Sequence, residues 1–137
     1  MLRDTLKTLL AAYGPSGNEH IVAETVKGLI ASHVDSMRVD AMGNLIVEKL
    51  GTDENGKRIM FSAHMDHIGF VVTDIDENGF LRVHNVGGVN PVISNARHVV
   101  FENGVEGVIY CQPLKGENPA MKYLFIDIGA EGRFGAR

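Results

Sequence analysis

Leu2, Leu6, Leu9, Leu10 and Tyr13 recur at spacings of three and four. That is the stripe of an amphipathic helix, predicted over residues 2–13 and stopped by Gly14-Pro15. Ser16-Gly17-Asn18-Glu19 has the form of a capping box, in which the Ser16 hydroxyl would accept from the Glu19 amide and the Glu19 side chain would reach back. Ile21, Val22, Val26, Leu29 and Ile30 follow on one face, so a second helix is expected to run to about His33. Beyond it the period falls to two. Met37 and Val39, then Leu45 to Leu50, then Ile59 to Ala63 are expected strands, joined through turns at 40–44 and 51–58.

The second half has a different pattern. Ile68 to Ile75, Phe80 to Val86, Val99 to Phe101, Val105 to Tyr110 and Leu124 to Asp127 are short β-rich segments with no helical period between them. The breaks are "DENG", "GGVNP", "ENG" and "QPLKGENPAM", which is the punctuation of a small barrel or sandwich. The change near Gly69 marks a boundary between an α/β part and an all-β part. Gly87-Gly88 with Asn90-Pro91 is expected to be a plain turn, since no helix is predicted after it to receive a phosphate. No internal repeat is evident, and helices followed by strands on short turns describe a sheet with helices packed on it.

Composition narrows the function classes. With 137 residues, 45% apolar and 22% charged, the chain has the make-up of an ordinary folded domain with one sizeable core. Thirteen basic against seventeen acidic residues give a net charge of −4, and no basic run exceeds Lys57-Arg58, so no nucleic-acid partner is expected. Asp4 and Lys7 fall where a signal peptide would need an unbroken apolar stretch, and no apolar run approaches the roughly 20 residues that span a bilayer, so no membrane association is expected either. The single cysteine, Cys111, excludes an intrachain disulfide and fits a small buried hydrophobe in a reducing, cytoplasmic setting.

The stretch Ser62-Ala63-His64-Met65-Asp66-His67 carries the candidate chemistry. Side chains alternate along an extended chain, so His64 and Asp66 share a face while Met65 and His67 take the other. A neutral imidazole suits zinc, cobalt and similar ions, and a nearby carboxylate either binds the ion or fixes the imidazole tautomer through its other nitrogen. The expected strand 59–63 would deliver His64 at its C-terminal end, where open α/β sheets place their ligands. The bland reading of the same residues is a hydrogen-bonded pair at a strand end. His20, His33, His84 and His98 have no acid at ligand spacing and are expected to be ordinary structural histidines. Asp127, in the apolar "LFIDIG", needs hydrogen bonds or a charge partner and is assigned a structural role.

"GPSGNE", "VDAMGNLIV", "FSAHMDHIGFVV", "GGVNP" and "LFIDIGA" follow one another in the order and spacing of a known family. Over residues 1 to about 131 the chain resembles the N-terminal part of the glutamyl aminopeptidase and tetrahedral aminopeptidase family, dinuclear metallopeptidases some of which carry the name cellulase M. The resemblance implies an α/β chain that begins a helix-flanked mixed-sheet metallopeptidase domain (1–66), enters an inserted small β-barrel for assembly (67–122), and returns to the catalytic domain (123–137). It implies that His64 is a metal ligand and that Asp66 supports His64 from behind. It also implies a pair of divalent cations, zinc or cobalt, a peptide substrate and a homo-oligomer.

The family's remaining ligands and its catalytic glutamate lie beyond the "DIGA" motif, so the chain is expected to be an N-terminal fragment that is inactive alone. The alternative is a non-catalytic β-barrel self-association module. His67 stands where the family more often has Glu, and is expected to be a satisfied surface or interface histidine. Glu131 to Arg137, "EGRFGAR", also departs from the family's usual continuation.

Overall fold

The computed structural model describes residues 2–53 and 55–136. Glu54, in the expected turn 51–58, lies outside them, as do Met1 and Arg137. The chain divides into two compact units, with the boundary between His67 and Ile68.

The first unit holds α1 (Leu2–Ala11), α2 (His20–Ile30), a single 3₁₀ turn (Ala31–His33), and strands β1 (Ser36–Val39) and β2 (Leu45–Glu48). Both helices fall where the apolar spacing put them, and among the described residues of the unit the buried apolar ones are Val22 and Ala23 on α2. β1 and β2 form an antiparallel hairpin in which Met37 faces Val47 and Val39 faces Leu45. Its turn is held by Asp40, whose Oδ1 accepts from the amides of Met42 and Asn44 at 2.9 Å each. The Asn44 side chain first, and then those two amide bonds, keep the Asp40 carboxyl below the usual carboxylate range.

Two local expectations fail in this unit. The capping box does not form. Glu19 occupies the N-cap of α2 without a side-chain cap bond, and its Oε1 instead accepts from the Gly17 amide at 2.6 Å. The strand expected over Ile59–Ala63 is likewise not one, since residues 57–66 carry no regular structure and Ile59, Met60 and Phe61 are 77%, 89% and 92% exposed. An apolar run becomes a strand only where a neighbour completes its ladder. Among the described residues none pairs with it.

The second unit is an antiparallel sheet of five strands: β3 (Gly69–Ile75), β4 (Leu81–Val86), β5 (Arg97–Val100), β6 (Glu106–Cys111) and β7 (Leu124–Asp127). Their spatial order is β3-β4-β7-β6-β5. Hairpin turns of the "DENG" and "ENG" type connect β3 to β4 and β5 to β6, as the turn residues predict. At the first of these Gly79 has φ +90°, and a Cβ there would lie 2.9 Å from the carbonyl oxygens of Ala130 and Gly132, so only glycine fits. A one-turn helix, α3 (Pro91–Ser94), replaces the plain turn expected after Gly88. Asn90 Oδ1 caps it by accepting from the Val92 amide at 3.0 Å.

Alternation sorts the two faces of the sheet. Leu81 and Val83 from β4, Ile109 from β6, and Leu124 and Ile126 from β7 form the buried core, with Cys111 packed against its edge. On the opposite face Phe125 lies 4.9 Å from Phe80 and 5.7 Å from Tyr110 between ring centroids, with the Arg82 guanidinium 5.4 Å above its ring. Residues 124–127, which the resemblance implied would return to the first domain's sheet, are here the central strand. Ile126 pairs with both Leu81 and Ile109. Their "LFID" alternation supplies both an inner apolar face and an outer aromatic one, which only a position between two strands uses fully. No pairing joins β3 to β5 among the described residues, so the sheet is open at both edges.

Candidate functional site

With no strand to place it, the segment 64–67 is positioned by the loop that ends α1. The His67 amide donates to the Gly14 carbonyl at 3.0 Å and the Ser16 amide donates to the His67 carbonyl at 3.3 Å. Pro15 and His67 thereby form a parallel bridge. The ring of His67 adds a third tie, its Nε2 accepting from the Gly14 amide at 3.0 Å. That nitrogen's lone pair is committed to the backbone, which makes His67 a structural histidine of this loop.

Gly14 is buried, and a Cβ built on it would lie 2.3 Å from Val22 Cγ2. Val22 is itself 6% exposed and β-branched, so it has little room to turn away. Gly14→Ala is therefore expected to destabilise the chain by about 1–3 kcal/mol through overpacking, read as a lowered midpoint in thermal or urea melts.

Above this anchor His64 and Asp66 face each other, as their shared parity predicts. His64 Nδ1 lies 2.9 Å from Asp66 Oδ1 and 3.0 Å from the Asp66 carbonyl oxygen. An ionised carboxylate and a carbonyl are both acceptors only, so Nδ1 carries the proton and the lone pair of the neutral ring sits on Nε2. Asp66 Oδ2 accepts a hydrogen bond from the Ser16 hydroxyl. The Ser16 bond first, and the His64 bond second, hold the Asp66 carboxyl below the usual carboxylate range. The His64 side chain is 85% exposed against 35% for Asp66, so the imidazole stands out in solvent with its carboxylate tucked behind it. Residues 64–67 line an open depression whose other wall is Leu9, Leu10, Val22 and Val26.

Sequence reasoning missed Ser16. The motif "PSGNE" signalled a helix cap, and its hydroxyl is spent instead on a carboxylate 50 residues away. His20, His33, His84 and His98 are exposed. Asp127 Oδ1 accepts from the Gly129 amide at 2.8 Å in the turn after β7. Among the described residues no three His, Cys, Asp or Glu side chains come together as a metal cluster. No helix of the described residues is long and apolar enough to cross a membrane.

The fold matches part of that of solved aminopeptidases. A TET aminopeptidase from the marine sediment archaeon Thaumarchaeota archaeon SCGC AB-539-E09 superposes with a TM-score of 0.85 at 29% identity, over 98% of this chain and 40% of that one. The TET1 peptidase of Pyrococcus horikoshii, described as assembling into a tetrahedron or a large octahedral shell, superposes at 0.82 with 40% identity, over 99% of this chain and 43% of its own. By sequence, the lysyl aminopeptidase of Pyrococcus furiosus is 30% identical over 142 residues, 95% of this chain and 40% of that protein.

Residues 43–136 match the family described as M42 glutamyl aminopeptidase. The chain belongs to that family. It spans about two fifths of the length of the relatives it matches.

Proposed function

We propose that this chain is the N-terminal portion of a metal-dependent aminopeptidase that removes N-terminal residues from peptides in the cytoplasm. In this reading His64 is a metal ligand through Nε2 and Asp66 is the carboxylate that orients it. The observation that carries the reading is the double acceptor at His64 Nδ1. Asp66 Oδ1 and the Asp66 carbonyl together fix the tautomer that leaves Nε2 free for a cation. A neutral, exposed imidazole fits zinc or cobalt as one donor of a divalent pair. Such ions, when bound, would polarise the scissile carbonyl and lower the pKa of water.

Residues 1–66 would begin the catalytic domain, and residues 67–122 would supply a small β-barrel for assembly, with β7 completing its sheet. A homo-oligomer is the expected state, in keeping with the assembly described for the TET1 peptidase of Pyrococcus horikoshii.

Metal titration of the protein extended to the length of its relatives tests the two roles. His64→Ala is expected to remove one metal, whereas Asp66→Asn should weaken binding by about 10- to 100-fold, as losses behind a ligand do. Equal losses in the two variants, or a greater loss in Asp66→Asn, would make Asp66 itself a ligand and overturn the assignment.

A further inference from the structure

We propose that Ser16 is a positioning residue for His64, acting through Asp66. The inference rests on the reading of His64 as a metal ligand and extends the site to the loop between α1 and α2. A carboxylate can rotate about its last side-chain bond, whose torsion is broad. One hydrogen bond from His64 therefore leaves the orientation of Asp66 loosely set. The structure closes that freedom from the other side, because Oδ1 faces His64 Nδ1 while Oδ2 accepts from the Ser16 hydroxyl.

The platform under the hydroxyl is itself fixed. The Ser16 amide is bonded to the His67 carbonyl at 3.3 Å, and the Asn18 amide closes the following turn on the Pro15 carbonyl at 2.8 Å. Ser16 and Asp66 are thus fixed to the same short bridge. The hydroxyl takes no part in capping α2, which begins at His20 with Glu19 at its N-cap and no side-chain cap bond. The Ser16 Oγ–H holds the carboxylate in an orientation that, together with the Asp66 carbonyl, favours the proton on His64 Nδ1.

The test reads the imidazole directly and needs no metal. Long-range proton–nitrogen correlation spectra of the ¹⁵N-labelled 137-residue chain, recorded at pH 8 with chelator, report the tautomer of His64. The wild type is expected to be predominantly protonated at Nδ1. Ser16→Ala should shift the tautomer ratio toward Nε2–H by roughly tenfold, the scale of a charge-assisted hydrogen bond, and Ser16→Thr should restore it. Ser16→Cys, a near-isosteric weak donor, should fall between and serves if the alanine variant does not fold. An unchanged ratio in both Ser16→Ala and Ser16→Cys would overturn the proposal. Cobalt titration of the extended protein separates the underlying reading. If the tautomer moves in Ser16→Ala while His64→Ala leaves cobalt affinity intact, Ser16 positions His64 but His64 is not a ligand.

Discussion

Supplied with cobalt, zinc or manganese, the 137-residue chain is expected to hydrolyse aminoacyl-nitroanilides no faster than buffer does. A hydrolytic metal site needs about three protein donors per ion, an open position and a general base within reach of the attacking water. The described residues supply one exposed imidazole with its carboxylate partner, and no third His, Cys, Asp or Glu side chain joins them. Asp66 cannot double as the base, because His64 and Ser16 already occupy its two oxygens and hold its pKa down. The deficit against an active relative should therefore be many orders of magnitude, since positioning and proton transfer are both lost. Turnover that disappears in His64→Ala would overturn the fragment reading and show a site assembled in some other way.

Self-association is the second large effect expected. Ile59, Met60 and Phe61 present three consecutive apolar side chains at 77% exposure or more, on a segment whose backbone finds no ladder partner among the described residues. Such a stretch is a template for pairing with another chain. Size exclusion with light scattering at micromolar concentration should give a mass above that of the 14.9 kDa monomer. Replacing all three residues by serine should return the monomer. A wild-type chain that elutes as a monomer and melts cooperatively would show that the segment is covered in solution. Association that survives the triple substitution would move the contact elsewhere, with the open edges β3 and β5 the first places to look.

Both expectations depend on features that local pattern cannot supply. The helices were legible because Leu6, Leu9 and Leu10, like Val22 and Val26, repeat with the helical period. The hairpins were legible because Asn78-Gly79 and Asn103-Gly104 each bring the positive-φ glycine that a tight turn demands. The facing of His64 and Asp66 followed from parity alone, which holds for any extended segment, whether or not a sheet surrounds it. What pattern could not give was partnership. An apolar run at 59–63 looks the same with a neighbouring strand as without one. "LFID" looks the same at an edge as at a centre. The Ser16 hydroxyl had two plausible partners, the Glu19 amide three residues away as a donor and a carboxylate 50 residues away as an acceptor, and nothing in the local motif pointed to the distant one.

The central position of β7 also has a kinetic side. β3 with β4, and β5 with β6, are hairpins that close from neighbouring residues, whereas Leu81 waits for Ile126 before its inner face is covered. Two-stranded ribbons are marginal on their own, so neither hairpin should persist until the last strand slides between them. Folding of the second unit is therefore expected to wait for β7 and to proceed as one cooperative event. The last of this unit's five strands in sequence is thus its keystone, since it supplies Leu124 and Ile126 to the core and joins the two hairpins.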